Sequence, residues 1–236
     1  MKKTIFIFTL IILSCSLFNG LPEQGIYYTA STVFSFQQFG LSKEFANVSM
    51  VYVYPIDPNY KDIVLKRMDE KGNLEKIVDT VKVDNPQYLD DQDTLLPDTK
   101  YLYSINFIKG REHPYDTLSA RTLPVIEMVT PVDTVRDSTI TIQWKTIERL
   151  NERFTDYTVE IYKGMFDMEN PDLPQKIFFQ DVIVNEDDQY GTVEVQWNND
   201  WSDTYIFTIK ISTKKELQYL TDNSITYKSI VWLKEQ

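Results

Sequence analysis

Apolar and polar residues alternate along much of the chain in short runs, each typical of a strand with one packed face. The clearest run covers residues 101–107, where two tyrosines, an isoleucine and a phenylalanine occupy every second position. The same period of two recurs at residues 140–144, 157–161, 193–197 and 205–211. Successive side chains of a strand point to opposite faces, so this period predicts β-strands. Short strands with turn signals and no helical run between them indicate an all-β chain.

Less regular patterns predict further strands at residues 27–39, 48–54, 63–68, 74–83, 117–122, 176–184 and 224–233. The segment Glu70-Lys71-Gly72-Asn73 is a hairpin turn signal between two of them. A helix through Leu65 to Val78 is the competing interpretation, but Gly72-Asn73 interrupts it and the β-branched residues disfavour it. Residues 109–116 are expected to form a loop, and they contain the sole histidine, His113.

One end of a core is expected to close at residues 95–101, where Leu95, Pro97, Thr99 and Tyr101 fall at every second position across a corner. The Tyr101 ring can fill the end of the core while its hydroxyl bonds back to the corner backbone. This Leu-x-Pro-x-Thr-x-Tyr pattern resembles the junction between strands E and F of fibronectin type III domains. In the second half, Asp203-Thr204-Tyr205 echoes it without the proline, so Tyr205 is expected to form a second corner.

Two further features carry this resemblance. Trp144, inside the run 140–144, resembles the core tryptophan of strand B, and Arg121-Thr122-Leu123-Pro124 resembles the end of such a domain before a linker. The resemblance implies two tandem immunoglobulin-like (fibronectin type III-like) β-sandwiches after a lipoprotein signal peptide, over residues 26–124 and 125–236. It implies an architecture and says little about the ligand.

The N-terminus resembles the signal of bacterial lipoproteins. Met1-Lys2-Lys3 is basic, residues 4–13 are almost wholly apolar, and this run is too short to span a bilayer. Ile12-Leu13-Ser14-Cys15 resembles the lipobox, where signal peptidase II cuts before a cysteine that is lipidated; Cys15 is the only cysteine. The resemblance implies a signal peptide over residues 1–14, a lipid anchor at Cys15 with a tether to residue 25, and attachment to the outer membrane or cell surface, facing periplasm or exterior. Alternatively, Cys15 is incidental within a signal cleaved near Asn19-Gly20.

Charge limits the range of partners. The chain has 24 basic and 35 acidic residues, a net charge of −11. Loss of residues 1–14 removes Lys2 and Lys3 and no acid, which leaves 22 basic residues and a charge of −13. Such a surface repels phosphate backbones and anionic headgroups, so no nucleic acid is expected as a partner and membrane contact is expected through Cys15.

Few residues are suited to catalysis. Any Ser-His-Asp or Cys-His site would have to use His113, which is expected to be a solvated loop residue. One histidine and no cysteine left after lipidation cannot supply a zinc site, and neither a metal nor another cofactor is expected. The acidic runs at residues 90–93 and 185–188 are expected to be solvated turns without the spacing of an EF-hand, although calcium through oxygen ligands stays open. A glycosidase-type carboxylate pair stays open as well, because carboxylates are plentiful.

Two aromatic residues in predicted loops are candidate ligand contacts: Trp201, in the segment 197–201, and Phe166, in the connection 164–174. Flanked by amides and acids, they could stack on a sugar or a peptide. Alternatively Trp201 caps the sandwich edge, while alternation places Trp197 in the core. We therefore expect a membrane-anchored, non-enzymatic interaction or spacer module that binds a protein or glycan. A carbohydrate-capture lipoprotein of a polysaccharide-uptake system is the alternative, and a carboxylate-dependent hydrolase is a further one.

Overall fold

The computed structural model describes residues 25–53, 62–69, 71–82, 87–90, 95–109, 111–149, 152–167, 175–201, 205–216 and 221–233. The predicted signal peptide and Cys15 lie outside the described residues. The described chain is built from β-strands, with one short 3-10 turn at Asn199–Trp201. No helix in these ranges is long and apolar enough to cross a bilayer.

The strands of the first half are β1 (Gly25–Gln38), β2 (Leu41–Val53), β3 (Asp62–Met68), β4 (Leu74–Lys82), β5 (Gln87–Asp90), β6 (Lys100–Lys109) and β7 (Arg111–Arg121). The second half begins with β8 (Met128–Thr130), β9 (Thr134–Val135), β10 (Thr139–Lys145), β11 (Glu148–Arg149), β12 (Glu152–Arg153) and β13 (Asp156–Lys163). It ends with β14 (Lys176–Ile183), β15 (Tyr190–Gln196), β16 (Ile206–Thr213), β17 (Lys215–Glu216) and β18 (Thr221–Trp232).

Both halves have the same topology. In the first half β1, β2 and β5 lie side by side, and the facing sheet has the order β4-β3-β6-β7. In the second half the corresponding layers are β15-β10-β8 and β14-β13-β16-β18. The remaining strands are short additions: β11 pairs with β12, while β9 and β17 pair with β18. Two packed sheets with this repeated order are an immunoglobulin-like sandwich, so the predicted all-β, immunoglobulin-like architecture is confirmed.

The core of the second sandwich follows the predicted alternation. Every second residue of β15 is buried, and in β10 Ile140, Ile142 and Trp144 are all buried. Trp144 lies directly opposite Gly191 in the antiparallel pair of β10 and β15. A Cβ at Gly191 would lie only 2.8 Å from Trp144 Nε1 and nearer still to two ring carbons. The absence of a side chain at Gly191 is therefore what makes room for the indole.

The predicted loop at residues 109–116 is wrong. β6 and β7 form a tight hairpin in which Lys109 pairs with Arg111, and the backbone of His113 pairs with Phe107. Pro114 suggested a loop, but β7 is the edge strand of its sheet, where a proline removes no required ladder hydrogen bond. The hairpin predicted around Gly72, by contrast, is present, since β3 and β4 pair in antiparallel fashion.

The two sandwiches share one continuous sheet. Residues 32–38 of β1 pair in parallel with residues 223–229 of β18, which gives the path β14-β13-β16-β18-β1-β2-β5. The chain passes from one half to the other through residues 122–127, which carry no strand. The sequence predicts two consecutive sandwiches, but it does not predict that the first strand of one pairs with the last strand of the other. We call this parallel β1–β18 contact the seam.

Candidate functional site

Hydroxyl side chains line the inner side of the seam and hold the connecting segment. The Ser31 hydroxyl accepts a hydrogen bond from the Leu123 N–H at 3.0 Å. Ser224 donates to the carbonyl of Pro124 and Thr226 to the carbonyl of Ile126, both at 2.9 Å. A backbone segment inside a core needs a partner for its polar groups. These three hydroxyls therefore allow residues 122–127 to run between the sandwiches without a large desolvation penalty.

Phe166 closes the outer side of the seam. After β13 the chain turns back over the sheet, because the Gly164 N–H donates to the Ile206 carbonyl at 2.8 Å, and Gly164 has a φ of +100°, which favours glycine. The Phe166 ring then stacks on Tyr227 of β18, with centroids 4.3 Å apart and planes 9° apart. It also lies 5.8 Å from Phe34 and 5.7 Å from Phe36 of β1. A residue of the second sandwich thus packs directly on the first strand of the other.

Trp201 closes the end of the second core. The backbone N–H of Trp201 donates to the carbonyl of Asn198 at 3.0 Å, and this bond closes the turn. The indole packs 5.9 Å from Trp232, 6.1 Å from Trp197 and 6.3 Å from Phe207, measured between ring centroids. With 8% of its surface exposed, Trp201 is a cap on the core, which was the alternative interpretation of the sequence.

Trp201 and Phe166, the predicted ligand contacts, are therefore both covered by the protein's own side chains in this structure. Their exposed fractions are 8% and 5%, whereas a ring that stacks on a sugar must present a free face. Both residues follow strand ends, and loop composition alone suggested solvent exposure. The actual cause of burial is that each loop folds back over apolar surface that the strands leave uncovered.

Tyr101 forms the corner that its position predicts. Its hydroxyl accepts a hydrogen bond from the Leu96 N–H at 2.7 Å, and its ring is 8% exposed. Tyr205 does not form a second corner, because it is 61% exposed and lies before β16. Trp201 already fills that end of the core. The backbone-bonded tyrosine of the second sandwich is instead Tyr157, whose hydroxyl accepts from the Ile147 N–H at 3.0 Å.

A buried ion pair links the sheets of the first sandwich. The Arg67 guanidinium of β3 lies 3.0 Å from the Asp90 carboxylate of β5, and Tyr103 donates to the same oxygen at 2.8 Å. Arg67 and Asp90 are 3% and 0% exposed, so the prediction that Asp90 belongs to a solvated turn is wrong. Burial and the neighbouring Asp90 charge both raise the pKa of Tyr103. The feature of the sequence that could have indicated this ion pair is Arg67 itself, an arginine at an inward-facing position of β3.

On the outer face of the second sandwich, Glu160 is held between two lysines. Lys176 and Lys210 each donate to one of its oxygens at 2.6 Å. Burial alone would raise the pKa of Glu160, but the two ammonium groups outweigh it and the net pKa is lowered. Glu160 is thus kept ionised, which suits a structural carboxylate and not a general acid.

A recess of about 500 Å³ lies beside the connecting segment. Its lining combines acidic, basic and apolar residues: Pro124, Val125, Glu127, Lys145, Thr146, Ile147, Glu148, Arg153 and Gln189. Arg153 is already committed, because it donates to the carbonyls of Glu186 and Asp188 at 2.9 and 3.3 Å. Within the described ranges, no cluster of three or more His, Cys, Asp or Glu side chains could hold a metal ion.

The fold and the seam define a module of two immunoglobulin-like sandwiches joined by one sheet. No protein-family model and no curated protein sequence matches the chain. The fibronectin domains FN1–FN3 of chicken CNTN1 align with a TM-score of 0.36 and 10% identity, over 89% of this chain and 66% of that one. A DUF3823 family protein from Bacteroides ovatus aligns with a TM-score of 0.31 and 10% identity, over 86% and 98%. The chain therefore spans slightly less than two thirds of the CNTN1 fragment.

Proposed function

We propose that the protein is a lipid-anchored module of the bacterial cell envelope that works as a spacer or interaction unit towards a protein or glycan, without catalysis. The observation that carries this proposal is the seam. Two domains on a flexible linker move independently by default. Here, seven residue pairs of a parallel ladder, the tied connecting segment and the Phe166 contact hold the sandwiches in one orientation. A fixed orientation suits a unit that keeps a binding surface at a set distance from the membrane.

The position of β1 supports a location close to the anchor. β1 begins at Gly25, ten residues after Cys15 in the sequence. Ten residues span at most about 35 Å when fully extended. A lipidated Cys15 would therefore keep the first sandwich near the bilayer, while the shared sheet carries the second sandwich with it.

Three described carboxyl groups, those of Asp69, Glu160 and Asp181, are unsuited to act as a catalytic acid. The pKa values of Asp69, Glu160 and Asp181 are all lowered, the first by its hydrogen bonds with Asn73 and the last by its bond with Lys214. A glycosidase acid needs the opposite, a pKa raised towards neutrality. With Trp201 and Phe166 buried, a protein partner is favoured over a glycan.

The anchor is tested by replacing Cys15 with alanine, with Ser14→Ala as a matched control. In cells, the Cys15→Ala chain should stay uncut or become soluble and should not incorporate labelled palmitate, while the control is processed and membrane-bound. Globomycin should block processing of the unaltered chain. A Cys15→Ala chain that is still processed and membrane-bound would contradict the anchor. Turnover of a chromogenic glycoside that one Asp or Glu substitution abolishes would contradict the non-catalytic role.

A further inference from the structure

Most open edges of the described sheets carry a feature that discourages pairing with another chain. β5 and β8 have only four and three residues, and β7 contains Pro114. β4 has four charged residues and two register shifts against β3, while the outward positions of β15 include Glu194. The part of β2 beyond β5 carries Lys43 and Glu44 side by side.

β14 has fewer of these features, although it contains Lys176 and the half-exposed Asp181. This strand, Lys176–Ile183, ends the nine-stranded sheet and contains neither proline nor glycine. Among the described residues it pairs only with β13, and its one register irregularity lies next to Lys176. Phe179 is 54% exposed and Ile183 is 81% exposed. An eight-residue edge strand that exposes two large apolar side chains can pair with another chain unless a strand already occupies that edge.

We propose that the occupant is β14 of a second copy of this chain, paired antiparallel about a two-fold axis that passes through Gln180. A two-fold interface brings the same strand from both copies together, so residue i faces residue j and j faces i. Centring the axis on Gln180 sets Phe178 opposite the partner's Val182 on the inner face and Phe179 opposite the partner's Asp181 on the outer face. Centring it on Asp181 would instead set two carboxylates face to face, which is unfavourable.

Local charge also fits a second copy. Although the whole chain has a net charge of −11, the outer face beside β14 carries three lysines, Lys176, Lys210 and Lys214, against the carboxylates of Glu160 and Asp181. The Lys176 ammonium lies 5.0 Å from the centroid of the Phe179 ring, and the Lys214 ammonium lies 5.9 Å away. Antiparallel pairing would bring the partner's Asp181 towards the Phe179 ring and the two ammonium groups beside it. These lysines therefore reduce, at this edge, the repulsion expected between two acidic proteins.

Cross-linking tests the register. Because Cys15 is the only cysteine, the full chain with Cys15→Ser carries no thiol, and Gln180→Cys adds one on the proposed axis. Cα atoms of facing residues in an antiparallel pair are about 4.5–5.5 Å apart, within the range of a disulfide. Mild oxidation should give at least about ten-fold more covalent dimer than Gln196→Cys, a matched glutamine in the edge strand β15. Equal yields from the two variants would overturn the proposal.

A charge swap tests the same axis without a covalent bond. Gln180→Lys and Gln180→Glu each place like charges opposite one another, so each variant alone should show a several-fold weaker dimer in sedimentation equilibrium than the parent chain. An equimolar mixture of the two should restore the dimer, because Lys then faces Glu. Gln180 is exposed, and matching melting curves will show that both variants fold. A parent chain that stays monomeric at all concentrations, or variants that dimerise as the parent does, would overturn the proposal. The pairing requires neither the lipid anchor nor a glycan.

Discussion

Replacing Phe166 with alanine should weaken the joint between the two sandwiches. Phe166 is 5% exposed, stacks on Tyr227 and contacts Phe34 and Phe36 across the seam. It lies in a loop and belongs to no strand, so its removal leaves every ladder hydrogen bond in place. The substitution therefore separates the aromatic contribution to the seam from the contribution of the sheet.

The expected loss of stability follows from the buried area. An aromatic side chain that buries about 150 Å² contributes up to about 4 kcal/mol at about 25 cal/mol per Å². This value is an upper bound, because the unfolded chain already buries part of that area. Phe34 is only half-buried, so water can enter part of the space left by the ring. We expect a loss of about 3 kcal/mol, at the low end for Phe→Ala, and a Tm lower by about 6–12 °C.

The tryptophans provide an assay that distinguishes the two sandwiches. All four are in the second half, at positions 144, 197, 201 and 232. Indole fluorescence therefore follows the second sandwich, whereas far-UV circular dichroism follows both. In the parent chain the two thermal transitions should coincide, because the seam makes the halves unfold together. In Phe166→Ala the circular dichroism transition should begin before the fluorescence transition.

Met165→Ala is the matched control, since Met165 precedes Phe166 but is 46% exposed. Its effect should stay within about 0.5 kcal/mol, as for most surface substitutions. The argument is refuted if Phe166→Ala differs from this control by less than about 0.5 kcal/mol. Transitions that separate already in the parent chain would refute the coupling across the seam.

Three further substitutions or conditions test the cores. Gly191→Ala should cost about 3 kcal/mol in urea unfolding, because the new methyl overlaps the Trp144 indole. Asp90→Ala should cost about 3 kcal/mol, because it removes the buried carboxylate that pairs with Arg67 and leaves that guanidinium with the more exposed Glu75, 3.2 Å away. Burial, with a smaller effect of a nearby carboxylate, raises the pKa of Tyr227 from 10.0 to about 12. Because the pKa of Tyr227 is higher in the folded than in the unfolded chain, the neutral hydroxyl stabilises the fold fully below pH 10, and this stabilisation is lost as pH rises through about 12. An absorbance titration of tyrosinate will follow the loss.

Each of these tests has a matched comparison. Thr192→Ala, at an exposed position next to Gly191, should change stability by less than about 0.5 kcal/mol. Glu112→Ala removes a partly exposed ion pair with Lys66 and should cost no more than about 1 kcal/mol. Tyr227→Phe should lessen the loss of stability above pH 10. If a core substitution costs no more than its surface comparison, the packing or pairing described for that residue is wrong.

The sequence predicts those parts of the fold that depend on local pattern. Period-two alternation places Trp144 in a core, because strand geometry alone decides which face a residue occupies. The corner at Tyr101 is predicted for the same reason: its ring and the Leu96 N–H are five residues apart, so one turn brings them together. The loop wrongly assigned around His113 shows the limit of local rules, since the effect of Pro114 depends on whether its strand lies at an edge.

Contacts between distant residues leave a weaker trace. Arg67 and Asp90 are 23 residues apart and lie on different sheets, and nothing near Asp90 in the sequence distinguishes it from the acidic residues that follow. The aromatic loop residues show the same difficulty. Phe166 and Tyr227 are far apart in the chain, so the composition of the loop could not show that Phe166 covers apolar surface.

The seam does leave one sequence signal, in the residue types that occupy inward positions. Where a core strand faces another sheet, its inward residues are apolar, as in β10. Where β1 and β18 face the connecting segment, hydroxylic residues occupy several inward positions, namely Ser31, Ser35, Ser224 and Thr226, although Val33 between the two β1 serines is apolar. A hydroxyl can satisfy a backbone N–H or C=O that a valine of similar size would leave unpaired. Buried serine and threonine on the first and last strands of a chain thus indicate that a backbone segment, and not a second layer of side chains, fills the space between them.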